Sequence, residues 1–193
     1  KRVRKSRMNS IDETRFFDDA CQALATEEKE LHRLFEQNHS LYCHQSIHGI
    51  GCLYETTLVY LIWKQLMRNN FPLEVSWEHP YPGNHTLHAD MALLAEDRRV
   101  DSLIEYKLWT SEDAREIRGD VEKYRKCSFP GGKYLLILEP CGGDSDANTE
   151  YLLESFPDVL LVKRATMHSG VHDIAKQTDC TKPIHIYLLK MKS

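Results

Sequence analysis

Val100-Asp101-Ser102-Leu103-Ile104-Glu105-Tyr106-Lys107-Leu108 is a strand-length, mostly apolar run that carries a carboxylate and an ammonium two positions apart. Side chains at i and i+2 of a strand leave the same face. Glu105 and Lys107 therefore share one face, and Ile104, Tyr106 and Leu108 take the other. Alone, Glu-x-Lys is common, and an exposed pair of this kind is worth at most ~1 kcal/mol. Its meaning depends on what lies upstream.

Leu87 to Ala95 reads as a strand, joined to Val100–Leu108 by the charged turn Glu96-Asp97-Arg98-Arg99. The two runs predict an antiparallel hairpin. Asp90 interrupts the first of them, in His88-Ala89-Asp90-Met91-Ala92-Leu93-Leu94. Aspartate is a poor strand former. Its spacing from Glu105 suits a hairpin that sets the two carboxylates side by side; an edge position or a turn cap is the other reading. Further upstream, about Leu53 to Arg68 reads as a helix, closed by Asn69-Asn70 and Pro72. On its wheel Leu58, Val59, Ile62 and Leu66 fall within about 60° of Glu55, with Lys64 and Arg68 on the opposite side. A carboxylate on a core-facing stripe is costly unless paired or turned toward a metal. A first-turn acid is also favoured by the helix dipole.

Outside this block, the first ten residues form a basic tail and Ile11 to about Asn38 has helical periodicity. His39 to Gly51 is a polar linker. Leu73 to Glu78 alternates as a strand, and Pro80-Tyr81-Pro82-Gly83-Asn84 is a dense turn signal. Ser111-Glu112-Asp113 opens a helix running to about Lys126, broken by Pro130-Gly131-Gly132. Tyr134 to Leu138 is a continuous apolar run, the pattern of a buried central strand. Gly142 to Asn148 reads as a loop, Glu150 to Ser155 as a short helix, and Val159–Val162 and Ile184–Leu189 as the last strands. The expectation is a flexible tail over 1–10 and one α/β domain over 11–193, with a mixed sheet flanked by helices on both faces.

The chain has 193 residues, enough for one core. Basic residues number 25 and acidic residues 29, a net charge of −4. Five of the basic residues (Lys1, Arg2, Arg4, Lys5 and Arg7) lie in the first seven positions, leaving a balance of −9 over the rest. A protein that merely coats nucleic acid carries a basic surface, so that class is disfavoured; an enzyme that gathers carboxylates in a cleft is not. Six cysteines without a CxxC pair read as reduced thiols and predict a cytoplasmic protein. The longest aliphatic-aromatic run, Leu58 to Trp63, is far short of the ~20 residues of a membrane helix.

A core-facing Glu55 on a helix, Asp90 on a strand and Glu105-x-Lys107 on the next strand resemble the PD-(D/E)xK nuclease superfamily, the restriction-endonuclease-like fold. The likeness covers about residues 53–140 and includes the order helix, three strands, helix, strand. Ala89 stands where the motif's name has proline. The resemblance implies a Mg²⁺-dependent endonuclease that hydrolyses DNA phosphodiester bonds, with Mn²⁺ able to substitute. It implies metal binding by Asp90, Glu105 and the Tyr106 carbonyl, with Glu55 in support, and catalysis by Lys107, whose pKa a cation and low-dielectric walls would lower. Lys123, Arg118 and Arg125, on the helix after Lys107, are expected to contact nucleic-acid phosphate. Asp120 lies at the margin of that helix's apolar stripe. Concerted cutting of both strands would call for a homodimer. The alternative is a catalytically inactive nuclease-like domain that binds nucleic acid or serves assembly.

Other signals carry less. Cys43, His44, His48 and Cys52 are irregularly spaced for structural zinc. His79, His85 and His88 flank a turn. Trp77 and Trp109 lie near strand ends, where packing is the default role and base stacking the alternative.

Overall fold

The computed structural model describes residues 11–37, 49–110, 114–140, 143–173 and 178–192. The basic tail, Cys43, His44, His48 and the Ser111-Glu112-Asp113 helix start lie outside the described residues, as does the side chain of Cys52. Four helices, α1 (Glu13–Gln37), α2 (Glu55–Arg68), α3 (Arg115–Lys126) and α4 (Ser145–Ser155), accompany six strands. These are β1 (Glu74–Tyr81), β2 (Asn84–Leu94), β3 (Val100–Leu108), β4 (Gly132–Glu139), β5 (Val159–Asp173) and β6 (Thr178–Met191).

The strands form one mixed sheet in the order β1-β2-β3-β4-β6-β5. The pair β3–β4 is parallel, and every other neighbouring pair is antiparallel. The parallel step follows from α3, which carries the chain back across the sheet before β4. Alternation along β4 divides the interior into two layers. Tyr134, Leu136 and Leu138 pack with Phe16, Leu24, Leu58, Ile62 and Leu66 of α1 and α2. Leu135 and Ile137 pack with Ile117, Val121 and Tyr124 of α3 and Leu152 of α4. The stripe expected on α2 is the buried one: Leu58, Val59, Ile62 and Leu66. No helix among the described residues is long and apolar enough to cross a membrane.

Several elements outrun their sequence signals. The β1 strand continues through Pro80, and the turn shrinks to Pro82-Gly83. An edge strand tolerates proline because its outward N–H has no partner to lose. Glycine at 83 suits the turn, with φ +79. The helix α4 begins at Ser145, in the expected loop, because Asp144 accepts hydrogen bonds from the Asp146 and Ala147 amides. The last two strands pair from Val159↔Met191 to Asp173↔Thr178, far beyond their apolar cores. The single helix α1 spans the whole of its periodic region.

Candidate active site

The site is built at the C-terminal end of β3, where that strand meets the start of α2 and the middle of α3. Glu105 and Lys107 leave the sheet on the α3 side, as their spacing requires. Glu55, first residue of α2, reaches the end of β3. Its Oε1 accepts a hydrogen bond from the Leu108 amide at 3.0 Å and lies 3.2 Å from Lys107 Nζ. The acid on the apolar stripe of α2 is thus paired, and half-buried rather than enclosed.

On the opposite side of Lys107 stands Asp120. Three residues beyond Ile117 and four before Tyr124, it lies on the buried face of α3. Its Oδ2 is 3.3 Å from Lys107 Nζ, and its Oδ1 is 2.5 Å from Lys123 Nζ. Lys123 Nζ is in turn 3.8 Å from Oε1 of Glu105, which also accepts a hydrogen bond from the Tyr81 hydroxyl. The result is a row in which acids and ammonium groups alternate, Glu55–Lys107–Asp120–Lys123–Glu105, closed by a phenol.

Asp90 approaches from β2. The β2–β3 ladder runs from Leu94↔Val100 to Met91↔Ile104 and stops one step short of Asp90. There the Asp90 carboxylate takes over, accepting the Tyr106 amide at 2.7 Å. Across β2, Glu78 is absent from the β1–β2 register and has φ +47. Both strands turn over at this level. Met91 packs in the α1–α2 layer and Ala89 in the α3–α4 layer. Trp77 touches Tyr60 and Trp63 of α2, whereas Tyr81 stacks on Tyr124 of α3 at 6.0 Å. That turn-over delivers the Tyr81 hydroxyl to Glu105.

The charges interact strongly. Burial, then Asp120 and Asp90, push the Glu105 carboxyl up to about 8, against the hydrogen bond from Tyr81 and the charge of Lys123. Burial opposes the charge of Lys107, but Asp120 and Glu55 outweigh it and hold the ammonium above its ordinary value. The nearest charges to Lys107 are carboxylates. Lys123 is raised likewise, with Asp120 and Glu105 overcoming burial.

Of the residues expected to act, Glu55, Glu105 and Lys107 meet through Asp120 and Lys123, and Asp90 abuts the same strand. The side chain of Tyr106 is buried on the far face of β3. Lys123 belongs to the cluster. Arg118 and Arg125 do not join it. The Arg118 guanidinium lies 5.5 Å from the Phe156 ring centroid. Arg125 is paired with Glu122 and, at 2.8 Å, with Asp158. Trp109 is buried and stacked on Tyr151 at 6.0 Å. Asp120, marked in the sequence by its place at the margin of the Ile117–Tyr124 stripe, proves central to the cluster. Tyr81 carried no such mark, because it lies in a stretch whose prolines and glycine signal a turn.

As the side chains stand, no group of three or more His, Cys, Asp or Glu residues among the described residues is arranged to hold a metal ion. The donor chemistry nevertheless fits a hard divalent cation. Three carboxylates, of Glu55, Asp120 and Glu105, face two ammonium groups, Asp90 lies against the same strand, and all donors are oxygen. Asp120 Oδ2 is buried against the Lys107 ammonium, an ion-pair contact at 3.3 Å. Glu105, Asp120 and Asp90 are the residues that would hold it.

No protein-family model matches this sequence, and neither does a curated protein. Among solved structures, a proposed RNA methyltransferase from Pyrococcus horikoshii is similar over 49% of this chain and 44% of that one, at 13% identity and a TM-score of 0.30. A likeness of that degree does not relate the two folds.

Proposed function

We propose that this protein is a divalent-metal-dependent nuclease of the PD-(D/E)xK type, with a restriction-endonuclease-like core, acting on the phosphodiester bonds of DNA. The observation that supports it most is the meeting of Glu55, Lys107 and Glu105 from α2 and β3 in one charged row, with Asp90 bound to the next amide of the same strand. The element order α2-β1-β2-β3-α3-β4 is the order that accompanies this motif. When bound, Mg²⁺ or Mn²⁺ would supply an activated water and offset charge on the phosphate.

The protein's own groups divide the remaining work. Glu105, Asp120 and Asp90 present oxygen donors. Glu55 fixes the end of β3 and orients Lys107. Lys107, held between Glu55 and Asp120, positions or deprotonates the attacking water and offsets charge on the phosphate oxygens. With Mg²⁺, Lys107→Ala should lower the cleavage rate of plasmid DNA by about 10²–10⁴, and Asp90→Ala by a similar factor. Equal rates for wild type and both variants reject the reading. One observation favours a silent, binding-only domain instead: two lysines already balance part of the acidic charge. That reading expects DNA affinity unchanged in EDTA and no cleavage of plasmid, single-stranded DNA or RNA.

A further inference from the structure

Resting on the metal-dependent reading above, we propose that Lys123 is a built-in counter-cation, whose ammonium holds the place between Asp120 and Glu105 and must withdraw before a divalent cation binds them. The geometry separates its role from that of Lys107. The side chain of Lys107 is 20% exposed and held from both sides, by Glu55 at 3.2 Å and Asp120 at 3.3 Å. Lys123 is 38% exposed and touches acids only on its inner side, 2.5 Å from Asp120 and 3.8 Å from Glu105. Its two partners cannot follow it outward, because their side chains are only 3% and 2% exposed.

The contact to Glu105 is an ion-pair distance, and the hydrogen bond to that carboxylate comes from Tyr81. Lys123 therefore bridges the two acids electrostatically without filling the donor sites of both. Its flexible four-carbon stem lets the ammonium swing into solvent, at the cost of its contact with Asp120. Cation binding becomes an exchange: one ammonium swings out, a proton held on Glu105 leaves to solvent, and the oxygens of Asp120 and Glu105 close on the incoming cation. The protein then binds the cation more weakly than its carboxylates alone would, and in return the acidic cluster is kept together before the cation arrives.

The test is titration of Mn²⁺ into protein stripped of metal, followed by the magnetic resonance signal of free Mn²⁺. Lys123→Gln keeps a hydrogen-bond donor for Asp120 and removes the charge. It should bind Mn²⁺ about tenfold more tightly than wild type. Wild type and Lys123→Gln binding equally, or the variant more weakly, overturns the proposal and leaves the metal-dependent reading standing. Absence of binding by both overturns the two together. A second measurement needs no variant: acetylation of Lys123 in the wild type, quantified by peptide mass spectrometry against Lys126 on the same helix. Saturating Mn²⁺ should raise the ratio severalfold, and an unchanged ratio overturns the proposal.

Discussion

Glu105 is the residue on which most of the site's electrostatics converge. Its carboxyl is pushed up to about 8, first by burial and then by Asp120. Between its ordinary 4.5 and 8, the folded protein holds a proton that the unfolded chain has released. This group therefore contributes stability at low pH that is lost progressively as pH rises through that window. In EDTA, Glu105→Gln should remove the slope: its Tm should gain on wild type between pH 5 and pH 8. Thermal melts at pH 5, 6.5 and 8 check this, and a constant difference in Tm across the series contradicts it. At the same scale, the sequence placed Glu105 and Lys107 on one face, because strand alternation is local. It did not assign Lys123 to the cluster, because nothing in a helix pattern says which acids from other elements lie opposite a lysine.

Among the elements, α4 shows how one side chain sets a boundary. Asp144 supplies the N-cap, accepting the Asp146 and Ala147 amides at 2.8 and 3.3 Å. Asp144→Ala should cost about 1 kcal/mol, measured as a shift of the denaturant midpoint at unchanged slope. Asp144→Asn should recover most of it. The cap was legible as a residue type, but the Ser145, Asp146 and Asn148 that follow it read more readily as loop. The β1–β2 pair is the contrary case. Both strands were recognisable, but their turn-over at Glu78 and Asp90 was not. A positive φ at Glu78 carries no sequence mark, since glutamate is an uncommon residue for that conformation.

Over the whole molecule, Glu28 joins three distant parts. Its buried carboxylate accepts the Ile50 amide, the Ser169 hydroxyl and the Gly170 amide, at 2.8, 2.8 and 2.9 Å. It thereby ties α1 both to the turn before α2 and to the long β5 edge. Gly49 fits beside it because a Cβ there would collide with Ser169 Oγ and the Glu28 carboxylate. Glu28→Ala would leave those buried donors without an acceptor, at about 3 kcal/mol. The expected fall in Tm is on the order of 6–12 °C; a change within 2 °C would show the tie to be dispensable.

Element types, their order, the buried stripe of α2 and the central place of β4 were settled by the chain itself, since each is a periodicity within a few neighbouring residues. Only folding decided that Asp120 and the Tyr81 hydroxyl would meet Glu105, that two lysines would stand between the acids, and that β5 and β6 would pair far past their apolar cores. Those outcomes join segments remote along the chain, and they depend on how the layers pack and where the strands turn over.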